Sequence, residues 1–274
     1  MRHKMGCNSS FDFNILSKST ITKDINSSNT PKISIIVPVY NEESRVSLTL
    51  ARLKEIFNLN WQSYELIVVN DGSTDSTLDV IQKEEEMDQH IRSISYMPNR
   101  GKGYAVKVGV MQSIGEVVMF IDGDFEFYTY SRITDYIKEL ETYDIVIGSK
   151  RHPLSKVNAP ISRKILSKIF NTLVRIIIGI RIKDTQSGLK VGRGDLLRRA
   201  FKVMRVERYA FDVELLTIAI ALNLHVKELP VDLTVGSRVK VREIVKMLID
   251  VLGICYRYRI RRFYQNQLVD EKIS

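Results

Sequence analysis

Cysteine is scarce: 274 residues contain two, Cys7 and Cys255. They lie far apart and one sits in a polar leader, which argues against a structural disulfide and for a reducing, cytoplasmic compartment. Long apolar runs are missing too. No stretch reaches the roughly 18–20 uninterrupted apolar residues that a spanning helix requires, and residues 1–30 lack the apolar core of a signal peptide. The chain is therefore not expected to cross a membrane, which leaves open whether it lies on one. Histidine occurs at four scattered positions, with no Ser-His-Asp order and no H-E-x-x-H motif, so neither triad nor zinc-protease chemistry is indicated. A P-loop is absent, and no G-x-G-x-x-G follows the first apolar run, which argues against an ATPase and an NAD enzyme.

Acid is missing from one particular place. Residues 161–183 hold Arg163, Lys164, Lys168, Arg175, Arg181 and Lys183 and no carboxylate, a net +6. Residues 236–264 also carry +6, from eight basic and two acidic residues. The whole chain is +9, so the remainder is slightly acidic. Basic segments rich in apolar residues point to an anionic partner. The spacing of Ile165, Ile169, Leu173, Ile176 and Ile177 predicts an amphipathic helix over 161–180. It suits the headgroup region of an anionic membrane, which the absence of acid favours over an ordinary helix packed on a core.

What is present reads as an α/β fold. Residues 1–30 form a polar leader without periodicity, expected to be disordered. A domain over 31–235 and a basic C-terminal helix and tail over 236–274 follow. Apolar runs at 33–38, 65–70, 91–97, 116–121 and 144–148 predict buried strands, the first ended by Pro38. Helical patterns at 42–57, 74–86, 102–114 and 130–140 alternate with them. Later helices are expected at 211–222 and 241–258, with a strand at 226–230. The stripe over 247–254 reads as helix–core packing. The alternation predicts a mainly parallel sheet with helices on both faces and C-terminal amphipathic helices. Ligands of such sheets bind at the carboxyl ends of the strands.

The chemistry-bearing residues fall at those ends. Asp122-Gly123-Asp124 follows an apolar run, and two carboxylates one residue apart can address one Mg²⁺ or Mn²⁺ shared with a diphosphate. Alone, such a triplet is also a plain acidic turn. Glu126 is either a third ligand or a surface acid. Pro38, Tyr40, Asn41 and Glu42 leave the first strand and Asp71 the second, offering an aromatic wall and a carboxylate for a base or ribose. Asp71 alone could equally serve a turn or cap. Residues 99–103, Asn-Arg-Gly-Lys-Gly, could wrap a phosphate with backbone amides at a helix N-terminus, with Lys102 beside it.

Val-Pro-Val-Tyr-Asn-Glu, Val-Val-Asn-Asp-Gly-Ser-Thr-Asp, Asn-Arg-Gly-Lys-Gly and Asp-Gly-Asp stand in this order. Over about 32–262 the chain resembles the family 2 glycosyltransferases of the GT-A (Rossmann-like) fold. The stretches 183–190 and 208–216 resemble the dolichyl-phosphate glucosyltransferase branch, and the mannosyl branch is more distant at the second. The resemblance implies that Pro38, Tyr40, Asn41, Glu42, Asp71 and Asp122 hold the nucleotide and that Asp124 with Glu126 holds the metal. It also implies that Arg238 lies near the phosphates. The family usually has Gln at Glu126, a basic residue at Asp232, and in eukaryotic members Cys at Ser187.

The reaction so implied is inverting transfer of a hexose, with UDP-glucose the favoured donor, to dolichyl or polyprenyl phosphate at the inner face of a membrane. A lipid phosphate is already an anionic nucleophile, so positioning and charge stabilisation suffice without a strong base. Lys150, Arg151 and Arg163 are the candidates for the acceptor phosphate. The rivals are a family 2 enzyme that elongates a glycan and a silent nucleotide-sugar binder. The third, a nucleic-acid-binding protein, has the basic charge but no recognition motif, so no nucleic acid is expected.

Overall fold

The computed structural model describes residues 32–61, 63–122, 132–234 and 241–270. The leader, Asp124, Glu126, Arg238 and the start of the helix expected at 130–140 lie outside them.

Short, continuously apolar segments form the strands because both faces are covered. β1 (Ile33–Val39), β2 (Tyr64–Asn70), β3 (Ile91–Ser95) and β4 (Val117–Phe120) are parallel. β5 (Ile145–Ser149) and β8 (Val226–Pro230) pair parallel to each other. β7 (Lys190–Arg193) runs antiparallel between β4 and β5. The order across the sheet is β3-β2-β1-β4-β7-β5-β8. A small second sheet pairs β6 (Lys156–Asn158) with β9 (Asp232–Thr234).

Alternation along β1 divides the core. Ile33, Ile35, Val37 and Val39 face α1 (Val46–Asn60) and α2 (Thr77–Met87), together with α4 (Ile133–Lys138). Ile36 faces the other layer, of α3 (Lys102–Gln112), α6 (Gly194–Val203) and α7 (Phe211–Ala221). A third cluster joins α7 to α5 (Ile161–Ile178) and α8 (Val241–Cys255). Helix α8 runs into a π-helical turn over Tyr256–Ile260, and α9 (Phe263–Asp270) follows.

Three departures from the sequence reading have physical reasons. β1 runs through Pro38 to Val39 instead of ending there. The even-numbered residues of β1 face β4, whose pairing ends at Ile36 opposite Phe120, with Ile121 N–H donating to the Ile36 carbonyl. The N–H that Pro38 lacks would have pointed past the end of that ladder. Helix α5 stops at Ile178 because Gly179 takes a left-handed conformation (φ 81°) and caps it. β7 and α6 occupy a stretch to which no element was assigned. Among the described residues no helix is long and apolar enough to cross a membrane.

The topology fixes where a ligand belongs. From β1 the chain winds outward to β3, then returns to place β4 on the other side of β1. The carboxyl ends of β1 and β4 therefore flank a switch-point crevice.

Candidate active site

Asp71 follows β2 and is buried. Its Oδ1 accepts from the Tyr96 hydroxyl and the Arg100 amide, both at 2.9 Å. Its Oδ2 accepts from Asn99 Nδ2 and the Gly101 amide, both at 2.8 Å. The sequence reading placed these amides around a phosphate. Those of Arg100 and Gly101 are instead taken up by this carboxylate, which needs them because buried charge demands partners. Gly101 can take its φ of 108° only as glycine. Burial, reinforced by the bond to Asp71, pushes the Tyr96 phenol well above its ordinary range.

Asn41 and Glu42 staple the ends of β1 and β2 together. Asn41 Oδ1 accepts from the Thr74 amide at 2.8 Å, and its own amide donates to Ser73 Oγ at 3.0 Å. The Glu42 amide donates to Thr77 Oγ1 at 2.8 Å. Pro38 is buried within β1 at Val69 of β2, and Tyr40 stands exposed just beyond the strand.

Asp122 stands two residues past β4, its side chain 28 % exposed. The Lys102 ammonium, from the first residue of α3, contacts its Oδ1. Gly188 also presses on the same carboxylate, so closely that a Cβ there would overlap it. Three separate parts of the sequence thus converge on one carboxylate.

Gly188 ends a loop over 183–188 that is fixed on every side. Glu228 of β8 accepts from the amides of Lys183 and Asp184, both at 3.0 Å. Asn171 Oδ1 of α5 accepts from the Thr185 amide at 3.0 Å and its hydroxyl at 2.8 Å. Lys150, just past β5, donates through its amide to Asp184 Oδ2 at 2.8 Å and through Nζ to the Gln186 carbonyl at 2.6 Å. Arg151 Nη2 donates to the Ser167 carbonyl of α5 at 3.0 Å. Lys150 and Arg151, predicted to face an acceptor phosphate, brace this loop and helix in the structure. Arg163 lies in the first turn of α5, half-buried. Asp184 is fully buried, and burial raises its pKa, yet the Lys150 charge and the hydrogen bonds outweigh it and hold the carboxyl below the ordinary range.

Next to the loop lies a pair drawn from the two branch-marking stretches, whose contact the sequence did not reveal. Lys190 of β7 sits opposite Phe120 and is wholly buried. Its Nζ donates to Asp212 Oδ1 at 2.6 Å and to the Ser187 carbonyl. Burial pushes the amine down and the Asp212 carboxyl up, and their direct contact opposes both shifts. Ser187 itself is buried, and its hydroxyl has no hydrogen-bond partner among the described residues. Among those residues no group of three His, Cys, Asp or Glu side chains is assembled as a metal cage. Asp122 supplies a carboxylate of the hard-oxygen kind that a divalent cation takes as a ligand, here in contact with the Lys102 ammonium.

The profile of the family described as "Glycosyl transferase family 2" matches residues 34–201, a span that runs from β1 to α6 and contains Asp71, Asp122 and Gly188. The chain belongs to glycosyl transferase family 2. The dolichyl-phosphate beta-glucosyltransferase of Dictyostelium discoideum is 34% identical over 243 residues, 82% of this chain and 74% of that one. The enzyme of that name from Saccharomyces cerevisiae is 30% identical over 262 residues, covering 86% and 77%. Among solved structures, glucosyl-3-phosphoglycerate synthase from Mycobacterium tuberculosis with Mn²⁺, uridine diphosphate and glucosyl-3-phosphoglycerate superposes with a TM-score of 0.60. That likeness covers 82% of this chain and 79% of the other at 19% identity, and bears on the fold alone. The fold of this family 2 glycosyltransferase is GT-A.

Sequence reasoning found the strand-end residues of the transferase because their motifs are local. It missed Asn171, Lys190 and Gly188 as site-builders, because each acts across the fold. The only signal was that Lys190 and Asp212 lie in the two stretches that marked the glucosyltransferase branch.

Proposed function

We propose that this family 2 transferase moves glucose from UDP-glucose to dolichyl or another polyprenyl phosphate at a membrane surface, with inversion. The supporting observation is that Gly188 joins two regions at Asp122. On one side are the carboxyl ends of β1 and β4, where an α/β sheet binds its nucleotide. On the other is a loop pinned to a basic amphipathic helix, α5. The names of the relatives above agree with a lipid-phosphate acceptor.

In this reading Tyr40 walls the nucleoside, while Pro38, Asn41, Glu42 and Asp71 hold the strand ends that shape its pocket. Lys102 and Arg238 would meet the diphosphate. Asp122, with Asp124 and Glu126, would hold Mg²⁺ or Mn²⁺, and the metal supplies positive charge for the departing diphosphate. Lys150 and Arg151, which brace the 183–188 loop and α5, and Arg163 in the first turn of α5 would meet the acceptor phosphate.

A phosphate oxygen of the lipid forms the new bond to the anomeric carbon. The bond from that carbon to the UDP oxygen breaks in line, and its electron pair leaves with UDP. The nucleophile is already anionic, so no side chain has to remove a proton. The work of the chain is to hold the two phosphates on opposite faces of the sugar.

The test is transfer of radiolabelled glucose into organic-extractable polyprenyl phosphate, with and without EDTA, beside Asp122→Asn. Metal-dependent label in the lipid phase, reduced at least about a hundredfold in the variant, is expected. Label that goes only to a glycan acceptor would replace this reading with glycan elongation.

A further inference from the structure

Helix α5 carries two faces. Phe170, Val174 and Ile178 are buried against α7 and α8, whereas Ile161, Ile165, Ile169 and Ile176 are exposed, Ile161 at 76 % and Ile176 at 71 %. The sequence reading of α8 recognised only the inner of its two faces. Val251 and Ile254 are indeed buried in the shared cluster. The opposite stripe, Val245, Ile249, Leu252, Tyr256 and Ile260, is exposed, and its steps of four, three, four and four residues keep it on one side of a helix. Scattered exposed apolar side chains are ordinary; two helical stripes on neighbouring helices are not.

The two helices are locked together. Cys255 Sγ donates to the Ile177 carbonyl at 3.3 Å, and Arg259 Nη2 donates to the Ile178 carbonyl at 3.0 Å. Basic residues accompany both stripes: Lys164, Lys168 and Arg175 on α5, and Arg242 and Arg259 on the second helix, are all exposed. Helix α5 has no acid; on α8, Glu243 is paired with Lys246 at 2.9 Å and Asp250 is partly buried. Isoleucines flanked by cations match the acyl boundary and anionic headgroups of a bilayer, and a neutral apolar protein partner would leave those cations unanswered.

We propose that the outward faces of α5 and α8 together form one docking surface for an anionic lipid bilayer, with α8 as the second rail. Through Asn171 and Thr185 this surface fixes the 183–188 loop, and through Gly188 the loop meets Asp122. Docking would therefore set Asp122 at a defined height above the headgroups. This deepens the lipid-phosphate reading and rests on it for the acceptor, but the binding surface is measurable without any transfer.

The experiment is co-sedimentation of the full chain with phosphatidylcholine vesicles, with and without phosphatidylserine. It compares wild type, Ile165→Ser/Ile169→Ser and Ile249→Ser/Leu252→Ser. Wild type should bind the phosphatidylserine vesicles, less so at high salt, and each pair should weaken binding roughly tenfold or more. Melting temperature and UDP affinity should stay near wild type because all four side chains point outward. Wild-type binding by the α8 pair would overturn the proposal. So would a wild-type dimer that the α8 pair dissolves while vesicle binding is unchanged, which would make the face an interface between copies. Transfer to a short, water-soluble polyprenyl phosphate separates the two ideas. If both pairs lose vesicles but keep this transfer, docking and reaction both stand. If vesicle binding follows the expected pattern and no polyprenyl phosphate is glucosylated, docking stands and the reaction reading falls.

Discussion

A methyl group added at Gly188 would land among the carboxylate atoms of Asp122. The neighbour that must give way is a side-chain end, so the fold can absorb the change by rotating Asp122 away from Lys102. Gly188→Ala should therefore melt close to wild type. Its kcat should fall about a hundredfold, as expected when a reacting geometry shifts by an ångström. Single-turnover rates with saturating UDP-glucose, read beside a thermal melt, check this. Normal turnover would show that Asp122 need not stay where Gly188 holds it. The same residue marks the limit of the sequence: Asp122 was legible from its motif, but the need for glycine sixty-odd positions later was not. Lys190 was hidden for a related reason. A lysine in an unassigned stretch looks solvated until the antiparallel pairing of β7 puts it opposite Phe120 and beside Asp212.

Elements were legible where burial on both faces left a continuous apolar run, as in β1, β2 and β4. They were illegible where local pattern and tertiary role disagree. β7 reads Lys-Val-Gly-Arg, with neither an apolar run nor an apolar–polar alternation, and exists because β4 and β5 present open edges on either side of it. Helix α8 showed one apolar stripe in sequence and carries two in the fold. The connection between elements at Asp184 is testable through pH. Its carboxylate ties the end of β5 to the loop by accepting from Lys150 twice, through amide and ammonium. With its folded pKa depressed, the ionised form stabilises the protein fully above the ordinary carboxylate value of about 4. That contribution disappears as pH falls through the lower folded value. Asp184→Asn should cost about 3 kcal/mol or more at pH 7, since it leaves Lys150 without its buried counter-charge. The gap between the two proteins should begin to close once the pH drops below about 4. Denaturant melts across that range decide; a gap that stays constant or widens in acid would mean that Asp184 is not held ionised.

At the scale of the whole molecule the C-terminal helices α8 and α9 pack against the other described helices. Tyr264 of α9 is fully buried in the cluster of α3, α6 and α7, among Phe211 and Leu215. Its hydroxyl donates to Glu214 Oε1 at 2.6 Å, and Arg257 Nη2 reaches the same oxygen at 3.1 Å. The other oxygen of Glu214 accepts from the amides of Arg205 and Val206, at 2.9 and 2.7 Å. A buried carboxylate with all its partners drawn from α7's surroundings and the C-terminal helices couples them, because removing one partner exposes the desolvation cost of the rest. The docking rail on α8 is then rigid with respect to Asp122 rather than tethered to it. Tyr264→Ala should lower stability by about 3–5 kcal/mol and keep a single unfolding transition seen alike by tryptophan fluorescence at Trp61 and by far-ultraviolet dichroism. A separate early transition, with Trp61 unmoved, would show instead that α8 and α9 unfold on their own. The surface that meets the bilayer would then have no fixed height over the site.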